Sequence, residues 1–380
     1  MTVRVNKPPI DLRSKLSELE RPTGLKGNEL MRAETAQEAR DLVSAGRKNA
    51  LYNGDMQIWQ RGTTFNNSGA GGAVNYTADR WNSTRYASTE NDTTREDANY
   101  LGFRYCLRSA RSNGDTTTTA RYVHQVLEQK DTWKLRGNYV TFSYYARVGS
   151  GFNGGFLGTY MTYHTDSARE ERFYYNQFIN GNNSYAYITH YDISTEWKRY
   201  SFTRFLPDNA QQIGVSIGSN QNLPTSTGGD YFEITGCQLE VGKNATDFEH
   251  RSYGEELALC ERYFQKYSKG SLMWASPRSP QNVYTDFTYG VFKYRAPMRA
   301  APTVGVIGSN FSGVRYNGSG YSTSNIALSA NTGTGYTTLE NTGADSTTIR
   351  IDWGFNWTIN DLVNVVCNNT DSALTFSAEL

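Results

Sequence analysis

Two stretches of the chain have the residue types and spacing of motifs that perform chemistry. Gly149-Ser150-Gly151-Phe152-Asn153-Gly154 fits G-x-G-x-x-G. A dinucleotide-binding turn of that form follows a strand and opens a helix, so that backbone N–H groups face a pyrophosphate. The next residues here are Gly155-Phe156-Leu157-Gly158-Thr159-Tyr160, aromatic and glycine-punctuated, so the expectation is a flexible hairpin loop. Gly214-Val215-Ser216-Ile217-Gly218 fits G-x-S-x-G. A nucleophile elbow needs a sharp strand-to-helix turn, whereas Ser216 lies between Val215 and Ile217 in an alternating run. It is expected on the solvent face of a strand, where Ser216→Ala would change stability by less than about 0.5 kcal/mol.

Paired acids are the remaining route to hydrolysis, because glycan-cleaving enzymes hold two carboxyl groups about 5–10 Å apart. Glu170, Glu171, Asp230 and Glu233 are the candidates. The first two sit in the charge run Ala168-Arg169-Glu170-Glu171-Arg172, which also reads as a solvated loop. Asp230 and Glu233 have the oxygen chemistry for a structural calcium, and Asn, Asp and Gly there serve equally as turn formers. No other cofactor is called for. The cysteines Cys106, Cys237, Cys260 and Cys367 stand far apart without C-x-x-C, so they read as free thiols rather than a disulfide or zinc framework. His124 and His190 fall in strand-like runs and read as hydrogen-bonded strand residues rather than metal ligands.

These residues must be positioned by β-structure. Charged residues make up 20% of the 380-residue chain and are replaced by Gly, Ser, Thr and Asn, beside 27 Tyr, 17 Phe and 7 Trp. Aromatics among small polar residues suit pleated, half-buried surfaces joined by turns. A net charge of +1 argues against binding nucleic acid through phosphate neutralisation. No apolar run nears the roughly 20 residues that a bilayer requires, so no membrane insertion is expected. Met1 to Leu12 mixes charges with prolines and lacks an apolar core, unlike a secretory signal.

Residues 1–47 hold helical patterns: Leu12, Leu16 and Leu19 form one stripe. Thr35-x-x-Glu38 caps a second, which carries Leu42 and Val43. From residue 48 the period becomes two. Val140, Phe142, Tyr144, Ala146 and Val148 alternate, as do Ile213, Val215 and Ile217. Phe232 and Ile234 change phase at Gly236 before Cys237, Leu239 and Val241, which predicts a β-bulge. Asn113-Gly114, Asn153-Gly154, Asn180-Gly181 and Gly228-Gly229 punctuate the run as turns. Leu257, Cys260, Phe264 and Tyr267 recover helical spacing, and strand-like runs return at 284–294, 303–307, 347–353, 362–367 and 373–380. The expected fold is mainly β: a helical N-terminal arm (1–47), a jelly-roll β-sandwich (48–250), a linker helix (251–268) and a second, smaller β-sandwich (269–380).

Several segments then form a set. Asn53-Gly54-Asp55-Met56-Gln57-Ile58-Trp59-Gln60-Arg61-Gly62 with Tyr76-Thr77-Ala78-Asp79-Arg80-Trp81 resembles the opening of jelly-roll modules in phage tail and fibre proteins. Gln238-Leu239-Glu240-Val241-Gly242 through Thr246-Asp247-Phe248-Glu249-His250-Arg251 resembles their closing strand, and Tyr253 to Phe264 the helix that follows. Gly27-Asn28-Glu29-Leu30-Met31 with Ala39-Arg40-Asp41-Leu42 is similar to a helical element of tail-fibre stalks, and Ala378-Glu379-Leu380 to the end of such chains. Together these cover about a quarter of the sequence.

The resemblance implies a virion fibre or receptor-binding protein made in the host cytoplasm, usually a homotrimer, with jelly-rolls similar to carbohydrate-binding modules. No enzymatic activity is expected, because the contexts of both motifs fail. On this reading the arm docks onto other virion proteins, a tail or portal-proximal adaptor, through Leu12, Leu16, Leu19, Leu42 and Val43. The β-domains meet host surface polysaccharide, for which Tyr160, Tyr163, Tyr174, Tyr175 and Trp197 are the candidate ligand-binding rings. Two alternatives stand beside it: a head fibre or capsid decoration without a ligand, and a glycan-depolymerising tailspike.

Overall fold

The computed structural model describes residues 47–66, 75–85, 91–112, 120–166, 170, 173–174, 176–179, 183–219, 229–268, 270–277, 287–307, 311–316, 321–326, 337–340, 346–352, 362–367 and 373–379. Met1–Asn49 form one unit, and Ala50–Leu380 a second, compact one. The arm leucines Leu12, Leu16, Leu19 and Leu42, together with Val43, lie outside the described residues.

The protein is mainly β. The first strands are β1 (Thr64–Asn66), β2 (Asn75–Tyr76), β3 (Asn82–Arg85), β4 (Asn91–Tyr100), β5 (Phe103–Arg111) and β6 (Arg121–Val126). After a short helix α1 (Gln129–Trp133) come β7 (Asn138–Val148), β8 (Leu157–His164), β9 (Phe173–Tyr174), β10 (Gln177–Phe178), β11 (Asn183–His190), β12 (Lys198–Leu206), β13 (Gln212–Ser219) and β14 (Tyr231–Val241). They build two six-stranded antiparallel sheets, a back sheet ordered β1-β4-β5-β14-β7-β12 and a front sheet ordered β11-β8-β13-β6-β3-β2. The chain alternates between the sheets, as a jelly-roll sandwich does.

The period of two explains the pairing. Val140, Phe142, Tyr144, Ala146 and Val148 of β7, with Phe232, Ile234, Cys237 and Leu239 of β14, turn inward from the back sheet. Leu157 and Met161 of β8, with Ile213, Val215 and Ile217 of β13, meet them from the front sheet. The predicted bulge is present. The β14–β7 register shifts between Thr235 and Gln238, and Gly236 has φ +60°. A Cβ there would come within 2.6 Å of the Phe103 ring and 2.9 Å of the Tyr145 ring, so glycine is required both by backbone and by space.

Two expectations are corrected. The Gly149–Gly154 loop is not a hairpin: it carries the chain from β7 in the back sheet to β8 in the front sheet, with the Gly149 N–H donating to the Tyr231 carbonyl at 3.0 Å. No helix follows it. The helix expected over 251–268 is shorter. It runs as α2 (Tyr253–Glu261), N-capped by the Ser252 hydroxyl, which accepts from the Glu255 N–H. The helical spacing of Phe264 and Tyr267 is overridden because Phe264–Ser268 forms strand β15, paired antiparallel with Ala373–Ser377.

Beyond β15 lie β16 (Gly270–Pro277), β17 (Phe287–Lys293), β18 (Thr303–Ile307), β19 (Phe311–Tyr316), β20 (Tyr321–Ile326), β21 (Thr337–Glu340), β22 (Ser346–Asp352), β23 (Leu362–Cys367) and β24 (Ala373–Ser377). They form a three-stranded sheet, β15-β24-β18, and a seven-stranded sheet, β20-β19-β23-β16-β17-β22-β21.

The opening and closing segments meet in one buried knot. The Asn53 side chain accepts from the Ile58 N–H at 2.9 Å and donates to the Ile58 and Asp79 carbonyls, while the Trp81 indole donates to the Asn53 carbonyl at 3.0 Å. The Arg80 guanidinium, 2% exposed, pairs with Glu379 and donates to the Val126 carbonyl at 2.7 Å. It lies 3.6 Å from the centroid of the buried Tyr263 ring. Arg61 joins Glu379 at 3.0 Å and stacks 3.6 Å over Phe264. Beside Tyr263, the Glu128 carboxylate receives Arg262 at 3.1 Å.

Removing one partner of a buried pair leaves an uncompensated charge, which costs about 3–5 kcal/mol. Glu379→Gln is therefore expected to lower the denaturation midpoint strongly, by about 3 kcal/mol, as read by urea titration of intrinsic fluorescence. A change under about 0.5 kcal/mol would show that the knot does not hold the fold.

Glu128 adds a pH dependence. Burial alone would raise its carboxyl, but the Tyr263 hydroxyl and the Arg262 charge bring it below its ordinary value of 4.5. A carboxyl depressed in the folded state adds stability above its unfolded pKa and loses it as pH falls through the folded value. The stability gap between the protein and its Glu128→Gln variant should thus be widest near neutrality and shrink below pH ~4.5. A gap constant with pH would contradict the pairing.

Candidate carbohydrate-binding face

The antiparallel register decides which side chains share the outer surface of the front sheet. Tyr187 of β11 stands opposite Tyr160 of β8, which stands opposite Ser216 of β13, which stands opposite His124 of β6, which stands opposite Asn82 of β3. Directly opposed residues point to the same face, and so do their i±2 neighbours. The inward set is fixed by the core residues Leu157, Met161, Ile213, Val215, Ile217 and Val123. The outward set therefore includes Tyr185, Tyr187, Tyr160, Thr162, Ser216, Tyr122, His124, Asn82 and Thr84.

Aromatic rings form a continuous row on this face. Tyr185 and Tyr187 are half exposed, at 52% and 57%, and their centroids are 6.4 Å apart. Tyr187 and Tyr160 run near-parallel at 5.5 Å, and Tyr160 meets the edge of Tyr122 at 5.8 Å. Two glycines make room for the rings. A Cβ on Gly158 would fall 2.7 Å from the Tyr160 ring, and one on Gly218 would collide with Tyr122. Burial raises the pKa of the Tyr160 hydroxyl, the hydrogen bond with Tyr122 works against this, and the neighbouring Tyr187 adds to the rise. Behind the rings, the Thr84 hydroxyl lies 3.5 Å from His124 Nδ1. At the opposite end of the strands, hairpin β9–β10 lies over the sheet: the Thr162 hydroxyl donates to the Asn176 carbonyl, and Phe178 packs edge-on to His164 at 4.6 Å. Asn82, Thr84, Tyr122, His124, Thr162 and Ser216 of this face are buried, so the ring surface open to a sugar is that of Tyr185 and Tyr187, with part of Tyr160.

The ring candidates divide. Tyr160 is on this face. Tyr163 turns the other way, packed against the core with Arg204 4.7 Å over its ring. Trp197 belongs to the back-sheet side, stacked on Tyr100 at 5.8 Å and capped by Arg147 at 4.7 Å. Tyr174 is described only as backbone in β9, and Tyr175 lies outside the described residues. Tyr122, Tyr185 and Tyr187 were missed. The alternation of Tyr185 and Tyr187 with Ala186 and Ile188 was the signal that would have found the last two.

The candidates for catalysis are occupied otherwise. Ser216 is wholly buried, which corrects its placement on a solvent face, because Tyr160 and His124 flank it on the adjacent strands. It faces His124, itself wholly buried, from the middle of a strand, without an elbow. The small stability effect expected of Ser216→Ala is revised to about 1 kcal/mol. Glu170 is no solvated loop residue: it pairs with Arg299 and accepts the Gln129 N–H at 2.8 Å. Glu171 is outside the described residues.

Both proposed calcium ligands are bound by arginines. Asp230 receives Arg121 at 2.9 Å and Arg111 at 3.7 Å, and Glu233 receives Arg108 at 2.6 Å and Arg147. The four cysteines are free and buried, and His190 Nε2 lies 3.0 Å from the Thr159 hydroxyl.

No family model matches the chain, and no curated protein is found similar to it. Among solved structures, the enzymatically active domain of tailspike protein 4 from bacteriophage CBA120 superposes at TM-score 0.32 and 12% identity, over 51% of this chain and 21% of its own. This chain thus spans about a fifth of that domain's length. A xylan-binding domain of carbohydrate-binding module family 22 gives 0.30 and 13%, over 49% of this chain and 99% of its own. The tandem family-22 modules of Paenibacillus barcinonensis Xyn10C give 0.26 and 12%, over 82% of this chain and 99% of their own. Overlaps of this quality assign neither a ligand nor an activity.

Gly218 offers a direct check of the face. Gly218→Ala forces a Cβ into the Tyr122 ring and within 2.9 Å of the Arg121 carbonyl, an overpacking expected to cost about 1–3 kcal/mol. Gly254→Ala, with open space at its Cβ, should cost little. Equal melting temperatures for the two variants would show that Tyr122 is not held over Gly218.

Proposed function

We propose that this protein is a non-enzymatic phage virion fibre that attaches to host surface glycans through the tyrosine row of its front sheet. The observation that carries the proposal is the pair Tyr185 and Tyr187, half exposed on edge strand β11, with Tyr187 stacked on the partly buried Tyr160. Such rings stack on the apolar faces of sugars. The virion part of the reading rests on the segments that resemble phage fibre modules. Three of them, 53–62, 76–81 and 378–380, are brought together at the knot of Arg61, Arg80 and Glu379.

In this reading the N-terminal arm docks onto other virion proteins, and the chain assembles as a homotrimer. Single sugar sites are shallow, and linking three copies raises avidity by about 10²–10⁴ without new contacts.

Tyr187→Ala should abolish retention on host cells, as read by fluorescence of labelled protein, with an unchanged melting temperature because the ring is half exposed. Undiminished cell binding would remove this face from consideration. Incubation with host polysaccharide should leave its chain length unaltered by size-exclusion chromatography; shortening would make the protein a depolymerase. Deleting residues 1–47 should leave a folded β-protein that is absent from purified particles. Its presence at normal copy number would overturn the anchoring role.

A further inference from the structure

The exposed rings of the front sheet follow one strand. The outward residues of β11 recur at every second position as Tyr185, Tyr187 and Thr189, and the same phase carried just past the strand end reaches Tyr191. Tyr191 is 75% exposed, more than either Tyr185 or Tyr187. Its ring packs against Phe156, which is partly exposed, with centroids 5.7 Å apart. Leu157 stands opposite His190 and points into the core, so Phe156 and Tyr191, one residue further out on each strand, belong to the outer face.

The edge of the front sheet thus carries two ring pairs, Tyr187 with Tyr160 and Tyr191 with Phe156. Between them Thr189 stands opposite Gly158, which has no side chain to fill the space. The outer surface of the edge is therefore two aromatic points separated by a low floor.

We infer that the site is elongated along β11, with Tyr191 and Phe156 as a second stacking point, and that it takes a tetrasaccharide or longer stretch of an extended glycan chain. This rests on the proposal that Tyr185 and Tyr187 bind glycan, and it adds the length and direction of the ligand. Distance carries the argument. At ~3.3 Å per residue, Tyr191 lies about 13 Å from Tyr187 and about 20 Å from Tyr185. A mono- or disaccharide resting on Tyr185 and Tyr187 stops short of Tyr191, whereas a tetrasaccharide reaches it. The sugars that bridge the two points pass over Gly158 without obstruction and have the Thr189 hydroxyl beneath them. A chain already held at the first pair meets the second as an intramolecular event, so two weak contacts combine into a firmer one.

The test is competition for retention of the labelled full chain on host cells. The competitors are fragments of the host surface polysaccharide, cut by mild acid and sorted by length. Mono- and disaccharides should compete feebly, and tetrasaccharides and longer fragments about tenfold more strongly or better. Tyr191→Ala should remove that gain, so that long fragments compete no better than short ones. Its melting temperature should stay unchanged, because the ring is mostly in water. Tyr191→Phe, which keeps the ring, should keep the gain. Tyr253→Ala, which removes an equally exposed tyrosine from α2, should alter nothing.

Disaccharides that compete as well as long fragments would overturn the elongated site while leaving the glycan-binding face in place. So would a Tyr191→Ala protein that still prefers long fragments. Failure of every fragment, and of the uncut polymer, to compete would overturn the glycan reading and this inference with it.

Discussion

Arg80 carries a permanent positive charge into a site with almost no access to water, and much of the architecture is arranged around that fact. Burial disfavours the charged guanidinium, but Glu379, Tyr263 and Tyr76 more than offset this and raise its pKa. Three partners of Arg80 are delivered by distant parts of the chain. Tyr263 comes from the turn after α2, Glu379 from the residues after β24, and the Val126 carbonyl from the end of β6. The arginine is thus satisfied only when the sandwich, the helix and the three-stranded sheet are all in place. A buried pair of this kind is a poor source of net stability compared with apolar packing, but a strong determinant of register.

The bulge at Gly236 plays a comparable part on the back sheet. Before it, β14 turns Phe232 and Ile234 inward and Glu233 outward; after it, Cys237 and Leu239 point inward and Glu240 outward. Without the extra residue one half of the strand would present its apolar side to water. The same bulge opens the space in which Phe103 and Tyr145 pack, and with Phe248 and Trp197 they make a small satellite core on that outer surface. The back sheet is thereby charged, paired and partly covered, while the front sheet exposes Tyr185 and Tyr187 at its β11 edge.

Much of this architecture was legible in the sequence because a period of two is a direct record of a half-buried strand. The inward residues of β7, β13 and β14 could be named from spacing alone, and the phase change at Gly236 located the bulge. Strands β19, β20 and β21 left little trace, since runs such as Tyr321-Ser322-Thr323-Ser324-Asn325-Ile326 carry few apolar residues to mark a face. The end of α2 was illegible for another reason: Phe264 and Tyr267 fit a helix locally, and only their pairing with β24, more than a hundred residues later, makes them a strand. The binding face was half legible. Aromatic content identified Tyr160, but whether a ring points outward depends on which sheet its strand joins. Tyr163, one strand position out of phase with its neighbours, illustrates how little separates a core ring from a surface one.

The distance along the chain between the partners in the knot has a consequence for the order of assembly. Glu379 lies 299 positions from Arg80 and 318 from Arg61. At about 5–20 residues per second, synthesis of the intervening chain takes on the order of 15–60 s. Throughout that interval both arginines lack their carboxylate, and the Tyr76–Trp81 segment cannot settle into its final buried position without stranding a charge. The sandwich is therefore not a domain that finishes folding while the rest of the chain is still being made. Its opening segment closes last, when the strand farthest from it in sequence arrives, so a ribosome that stops early releases a chain that retains an open, hydrated arginine corner.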